Sequence, residues 1–423
     1  MKKSLMTAAL CLILTGCAGQ STVLPDSQPE QLIPAPESRT ENSISSGETV
    51  QQTAKPLADY LNENARIRPL YEISDTRTLL DCSRSTGNPW APVTEKSYAV
   101  YDSSTGTLGE RCVFDTQPQC RSGGFWVMKA AKPDTEDSMR LRGSTLPLQA
   151  DSNCFTDLLM YDWDFHLLAK VDLRAFGTVS AIEADPANGT VWYLTEQHEQ
   201  NADGFRSSAR LMQRNADGTE AELYAWSRSY SVSENKSSAQ PHALDSINRL
   251  IRNGDVLVFT GFTNSETPTG PMLPAWGVIS LTTGEMQLHD SPSDETSCLL
   301  PAGDCVFAVR QYDIYHPNEN GMLLRILPSG KPLEYPVLNQ LELESDTDPH
   351  DLRSGRLYAT LMQKQMEGGG VIARVTIYDE TGQVIHKSDL QTDAGIHFGS
   401  EFLQQGARVL LAETAEGWVT VPF

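Results

Sequence analysis

The 423-residue chain has no apolar stretch long enough to cross a bilayer as a helix. The run Leu5–Leu14 in "MKKSLMTAALCLILTGCAGQ" falls well short of the roughly 20 residues required, follows two lysines, and reads as an export signal expected to be removed. Aromatic residues are absent from Ala18 to Asp59, where Pro25, Pro29, Pro34, Pro36 and Pro56 punctuate Ser, Thr, Gln and Glu. Such a stretch cannot bury enough surface to fold, so it is expected to be a tether with an r.m.s. reach of about 35 Å. Basic residues are scarce, 33 against 55 acidic ones, for a net charge of −22. That balance argues against nucleic acid or anionic headgroups as partners of the surface in general. The motifs H-E-x-x-H, G-x-S-x-G, the P-loop and the dinucleotide fingerprint are all missing, and no cofactor is expected.

Cysteine is sparse but even in number once the first two are set aside. Cys11 lies in the signal. Cys17 ends Leu14-Thr15-Gly16-Cys17, which resembles the bacterial lipobox, where small residues precede a cysteine that is diacylated and becomes the new N-terminus. The resemblance implies a signal peptide over residues 1–16, lipidation of Cys17 and the membrane as a partner through the lipid anchor, while composition sets the tether at 17–59 and the β-propeller body at 60–423. Ala18, where inner-membrane lipoproteins tend to carry Asp, implies the outer membrane. Several acyl chains meet the condition for stable anchoring.

Six cysteines remain in the body, as expected for disulfides in an oxidising compartment. "CVFDTQPQC" and "CLLPAGDC" are short turn-rich loops that would close as Cys112–Cys120 and Cys298–Cys305, leaving Cys82 for Cys154. Neither loop has zinc-ligand spacing, and no metal site is expected. "ESDTDPHD" has carboxylates at alternate positions but lacks the glycine and distal glutamate of a calcium loop, and reads as a solvated acidic loop.

What the body has in abundance is hairpins. Six segments place a turn between short apolar or alternating runs: "YAVYDSSTGTL", "LLMYDWDFHLLAKVDL", "RLMQRNADGTEAELY", "WGVISLTTGEMQL", "LLRILPSGKPL" and "VTIYDETGQVI". Between them, Gly turns at Gly189, Gly254, Gly355 and Gly406 lead into strongly apolar strands. Two hairpins in each period of about fifty residues make a four-stranded antiparallel sheet, and such sheets around an axis form a propeller. The fold expected is an all-β propeller of six or seven four-stranded blades; it resembles bacterial propellers with D-x-x-G hairpins. A pair of β-sandwiches is the alternative. Trp126, Trp163, Trp192, Trp226, Trp276 and Trp418 fall about one to a blade, as packing between sheets requires. "PLADYLNENARI" reads as a short helix on the rim, and the closing "GWVTVPF" as a strand that completes the ring.

Three histidines, His242, His350 and His397, stand just ahead of Gly-turned strands. Inner strands of a propeller begin near one mouth of the central channel, so these side chains are expected to converge, with Asp245 and Asp351 placed to orient an imidazole. Leu244, Ile247, Leu250 and Ile251 follow helical spacing, which sets His242 apart. "PHALD…NGDVLVF" resembles arylsulfotransferase-like propellers over about twenty residues. The resemblance implies a nucleophilic or acidic role for His242 or His350, with an arginine such as Arg310 or Arg353 holding an anion. The other reading makes these histidines structural, bonded to a neighbouring blade. Two functions therefore stand: a membrane-anchored module without catalysis, binding a protein or a small anionic ligand at one face, and an enzyme using channel-mouth histidines.

Overall fold

The computed structural model describes residues 55–64, 66–88, 91–131, 137–142, 153–231, 236–237, 243–264, 272–290, 298–302, 305–309, 323–335, 347–354, 357–365, 371–378, 383–392, 409–414 and 417–422. The expected short helix is present at Leu57–Glu63, entered from Pro56 at φ −54° and burying Leu57, Ala58 and Leu61. Proline suits that place because its ring fixes a helical φ and its missing N–H would have no partner there. After it the described residues are strand and turn, apart from a short 3-10 helix at Arg174–Phe176.

The first sheet runs Arg68–Glu72, Arg77–Asp81, Ser97–Asp102 and Thr107–Leu108, with Cys112–Val113 also paired to Ser97–Asp102. A ten-stranded sheet follows, made of two meanders. The first comprises Gln119–Arg121, Gly124–Ala130, Cys154–Tyr161 and Leu167–Asp172; the second Thr178–Asp185, Thr190–Asn201, Gly204–Arg214 and Glu220–Ser231, with Lys236–Ser237 at its margin. The short strand Met139–Leu141 joins them, antiparallel to Cys154–Tyr161 and parallel to Thr178–Asp185. Three four-stranded antiparallel sheets come next in chain order: Leu244–Asn253 to Met286–Asp290, Cys298–Ala302 to Pro332–Tyr335, and Thr347–Ser354 to Val384–Thr392. Hairpins Arg84–Asn88/Ala91–Glu95 and Val409–Thr414/Gly417–Pro422 stand apart as two-stranded sheets. The fold is thus mostly all-β and multi-sheet, with successive meanders of the kind propellers are built from.

The turn chemistry follows the sequence at most sites. Gly106, Gly189, Gly218, Gly254, Gly284 and Gly330 all have positive φ. At Gly254 the reason is also one of space, since a Cβ there would lie 2.5 Å from Cβ of Pro328 in the turn of the next sheet. Phe165 is the exception, a non-glycine at φ 63°. Asp162 holds that turn, accepting from the N–H of Asp164 at 2.9 Å and of His166 at 2.8 Å. The Phe165 ring lies 5.5 Å from that of Phe125 and 6.1 Å from that of Phe114, so aromatic packing offsets the left-handed backbone.

One reading of the sequence is overturned. Leu244, Ile247, Leu250 and Ile251 belong to a strand, not a helix, and all four are buried. Register shifts at Leu244/Ser246 and Ile247/Arg249 explain the pattern: each bulge inserts a residue and advances the apolar phase by one, so a period of two mimics a helical spacing.

Trp126, Trp192, Trp276 and Trp418 are buried, in four separate apolar clusters between sheets. Polar contacts add to them. Arg252 pairs with Asp185 of the preceding meander and stacks over Trp192, while Asn253 Nδ2 donates to the Ile326 carbonyl of the following sheet at 2.6 Å. The two ends of the folded body meet: Asn62 Nδ2 donates to the Trp418 carbonyl at 2.9 Å, and the Trp418 N–H to Asn62 Oδ1 at 2.6 Å. The Trp418 ring packs with Leu57, Leu61, Leu80, Cys82 and Tyr101.

One expected cysteine pairing, Cys298–Cys305, is overturned. Cys82, Cys112, Cys120 and Cys154 are present as thiols; Cys120 Sγ donates to the Pro118 carbonyl at 3.9 Å and Cys154 Sγ to Asn153 Oδ1 at 3.5 Å. Burial pushes the Cys82 thiol up. For Cys298–Cys305 the ladder itself is the obstacle. Cys305 is opposite Ala302 and Cys298 opposite Val309, which sets their Cα atoms about 13 Å apart along the strand, well beyond the roughly 7 Å limit of a disulfide.

His289 gives a measurable consequence of packing. It stacks on Trp276 at 4.1 Å, and its Nε2 is buried without a hydrogen-bond partner among the described residues. Burial lowers its pKa from 6.5. A depressed histidine contributes stability above its unfolded value and loses it as pH falls through that range. His289→Phe keeps the stack and removes the titration. In thermal melts the parent should lose more stability than the variant between about pH 7.5 and about pH 5; parallel losses would disprove the assignment.

Candidate functional site

The three sequence-flagged histidines are not brought together by what is described. His242 and His397 lie outside the described residues, as do Arg310 and Cys17. His350, Asp351 and Arg353 are within strand Thr347–Ser354, opposite Leu361, Thr360 and Tyr358. The expectation that His350 stands ahead of its strand, and that residues 347–351 form an acidic loop, is therefore corrected: both fall inside a ladder.

Counting along the ladders identifies the residue of the Leu244 sheet that is equivalent to His350. His350 pairs with Leu361, four residues after Leu357 opens the returning strand. In the earlier sheet the residue four beyond Val256 is Thr260, and its partner is Arg249. Arg249, not His242, occupies the place of His350.

Asp245 does sit in a titratable cluster, but with partners other than those expected. Its carboxylate Oδ1 is 2.7 Å from Arg228 Nη1, and its carbonyl accepts from Trp226 Nε1 at 2.7 Å. Both partners come from strand Glu220–Ser231. Glu196 and His198, from Thr190–Asn201, also act on Asp245, and His198 Nε2 is 3.3 Å from Glu196 Oε2. The ladders explain the convergence. Glu196 is opposite Ala209, itself opposite Trp226; His198 is opposite Ser207, itself opposite Arg228, so all share one face of the sheet. The Arg228 guanidinium also lies 5.3 Å from the Phe205 ring, an aromatic exposed at the tip.

The Asp245 side chain is 4 % exposed against 30 % for Arg228. Burial raises its pKa, Arg228 opposes the rise, Glu196 adds to it and His198 opposes it. The cluster thus joins a desolvated carboxylate, a partly hydrated cation and a second carboxylate with its imidazole. Among the described residues no group of three or more His, Cys, Asp or Glu is placed to hold a metal ion. Sequence reasoning found Asp245 but missed Arg228, Glu196 and His198. The only signal was alternation in "TEQHEQ" and "WSRSYS", which places like-phased residues on one sheet face.

A second buried constellation ties the two meanders of the ten-stranded sheet. Arg121 meets Glu183 through Nε at 2.8 Å and through Nη2, and its Nη1 donates to the Cys120 carbonyl at 2.5 Å. Glu183 Oε1 also accepts from Trp126 Nε1 at 3.3 Å and the Ala184 N–H at 2.9 Å. Burial acts against the Arg121 charge, but Glu183 outweighs it and holds the guanidinium above its usual pKa. With every carboxylate oxygen engaged, this pair has a structural role.

No family model and no curated protein matches the chain. Among solved structures it is similar to the β-propeller domain of the Trilobed protease from Pyrococcus furiosus, at 10 % identity and a TM-score of 0.40, over 84 % of this chain and 95 % of that one. It is also similar to TolB from Acinetobacter baumannii, at 10 % identity and a TM-score of 0.23, over 76 % of this chain and 81 % of that one. The polysaccharide lyase Uly1 aligns at 7 % identity and a TM-score of 0.25, over 79 % of this chain and 91 % of that one.

Proposed function

We propose that the chain is an outer-membrane lipoprotein whose body is a β-propeller of six or seven blades acting as a binding module for a protein or small ligand at one face. The observation that carries this reading is the repeated antiparallel meander, met sheet after sheet and fastened end to end by Asn62 and Trp418. A ring of such units presents loops at its two mouths and has few residues committed elsewhere. The lipobox resemblance at Cys17 and the proline-punctuated stretch behind it support anchoring at a distance from the membrane. In the oxidising compartment this implies, a Cys112–Cys120 or Cys82–Cys154 bridge belongs to the same proposal. Ladder geometry gives the channel-histidine enzyme no comparable support, because Arg249 holds in the Leu244 sheet the place that His350 holds in its own.

The test is fractionation. Cys17→Ser should abolish labelling by radioactive palmitate and move the protein from membranes to the soluble fraction. Retention on membranes after a high-salt wash would overturn the anchor, and a variant released but unable to pull down the same ligands as the parent would overturn an anchor-independent binding module.

A further inference from the structure

Three hairpins of the chain open on the same dipeptide, Tyr101-Asp102, Tyr161-Asp162 and Tyr378-Asp379. Each joins the third strand of its meander to the fourth. The fourth strands Leu167–Asp172 and Val384–Thr392 then repeat one another: Leu167-Leu168-Ala169-Lys170-Val171-Asp172 aligns with Val384-Ile385-His386-Lys387-Ser388-Asp389, with the same order of exposed and half-buried positions. Both ladders also carry a bulge at the same place, so that Leu168 and Ile385 have no residue opposite them. The first two residues of each strand are exposed apolar side chains, Leu167 at 52 %, Leu168 at 48 %, Val384 at 48 % and Ile385 at 43 %. Glu220–Ser231 and Met286–Asp290, the fourth strands of two other meanders, open instead on Glu220-Ala221 and Met286-Gln287. A bulge on an outer strand discourages pairing with a further strand. These pairs therefore offer side chains, not a ladder, to whatever they meet.

Leu167-Leu168 lies beside the point at which the chain enters the body. The Lys55 N–H donates to the Ser103 carbonyl at 3.2 Å, in the hairpin that follows Tyr101-Asp102, and the Tyr101 hydroxyl donates to the Lys55 carbonyl at 2.7 Å. The Ser103 N–H donates in turn to the Thr76 carbonyl at 2.8 Å. Arg77, the next residue, reaches the neighbouring sheet, where it pairs with Asp164 and donates to the Trp163 carbonyl at 3.5 Å. A short run of hydrogen bonds thus joins the end of the tether to the turn that precedes Leu167. Trp163 and Phe165 in that turn are half-buried aromatics, and tryptophan is enriched where a protein meets a membrane interface. The charges of this hairpin are balanced: Asp157, Asp162, Asp164 and Asp172 have Lys170, His166, Arg77 and Arg174 as partners. In a chain of net charge −22, an apolar patch so balanced fits a zwitterionic surface better than a charged one.

We propose that this patch rests on the zwitterionic bilayer that holds the chain's own lipid, with Leu167-Leu168 as the main contact and Val384-Ile385 as a second one. The proposal rests on the anchored reading above. Four aliphatic side chains give only a weak hold by themselves. A tether with a reach of about 35 Å makes that hold intramolecular, at an effective concentration on the order of millimolar, so an affinity in the same range suffices. The hairpins between third and fourth strands share one face of a propeller. The body therefore lies with that face towards the membrane and leaves the opposite one free for a ligand.

Tethering without the native lipid separates this contact from the anchor. The chain from residue 17, bearing Cys17→Ser and an N-terminal hexahistidine tag, is bound to phosphatidylcholine vesicles that contain a nickel-chelating lipid, which holds the tether at the surface whether or not Cys17 is acylated in the cell. Hydrogen exchange within 161–173 should slow several-fold on these vesicles relative to the same chain free in solution, and within 383–390 to a smaller degree, while Val256–Thr263 stays constant. Leu167→Ser combined with Leu168→Ser should abolish the slowing in 161–173 and leave Val256–Thr263 as in the parent. Brominated phosphatidylcholine should quench part of the tryptophan emission, and Trp163→Phe should remove that part. Equal exchange on vesicles and in solution, slowing that survives the double variant, slowing that requires phosphatidylglycerol, emission indifferent to the brominated lipid, or slowing in free solution as protein concentration rises, the mark of a second copy, would each overturn the proposal. None of these results bears on Cys17, whose acylation is decided by palmitate labelling.

Discussion

Glu183→Gln is expected to destabilise the protein by about 3–5 kcal/mol, the typical cost of leaving one member of a buried ion pair without its counter-charge. Glu183 has no exposed surface, and the Arg121 side chain opposite it is 9 % exposed. The amide oxygen of glutamine can still accept from Trp126 and Ala184, so shape and two hydrogen bonds survive. What does not survive is neutralisation of a guanidinium that has no route to water. Combining Arg121→Met with Glu183→Gln should recover most of the loss, because the buried charge is then removed with its partner. Urea denaturation of the three proteins checks this. A single variant within about 1 kcal/mol of the parent would mean that Arg121 finds water or another anion on losing Glu183.

Trp418→Ala should be of similar size, about 3–5 kcal/mol for a buried tryptophan. Its effect should be uneven across the molecule. The ring is shared by helix Leu57–Glu63 and the first sheet, so amides of that helix should lose protection out of proportion to those of Val256–Thr263, which rest on a different cluster. Asn62→Ala removes the two hydrogen bonds to the Trp418 backbone and should cost about 1–3 kcal/mol. If hydrogen exchange shows the helix no less protected in Trp418→Ala than in the parent, the two ends are not fastened as described.

Hairpins and helix were legible because both are local. A turn glycine between alternating runs declares itself within a dozen residues, and Pro56 with Leu57 and Leu61 declares the helix. Bulges were not legible, since an inserted residue leaves no mark beyond a shifted phase. That is how Leu244 to Ile251 took on a helical spacing. The Gly-like turn at Phe165 was placed correctly, but its backbone became intelligible only with Phe114 and Phe125 around it. Pairs such as Arg121–Glu183 and Arg228–Asp245 bring together charges from separate strands, and composition says only that such residues exist. The cysteine expectation failed at Cys298–Cys305 for the converse reason: nearness in sequence was taken for nearness across a ladder, where a tight turn sets residues equidistant from it opposite each other and these two are not.

The clasp between Asn62 and Trp418 joins residues 356 apart in the chain. Closing so large a loop carries an entropic cost that no earlier contact along the way repays in full, and topologies dominated by such contacts fold slowly. The individual meanders can form as each hairpin appears. The union of first helix and last strand has to wait for the end of the chain. Until then Leu57, Leu61, Leu80 and Tyr101 lack the indole that covers them, so the slowest phase of folding should be the one in which Trp418 becomes buried. A chain stopped a few residues short of Trp418 should accumulate as an open, aggregation-prone array of otherwise well-formed sheets rather than as a slightly less stable version of the closed molecule.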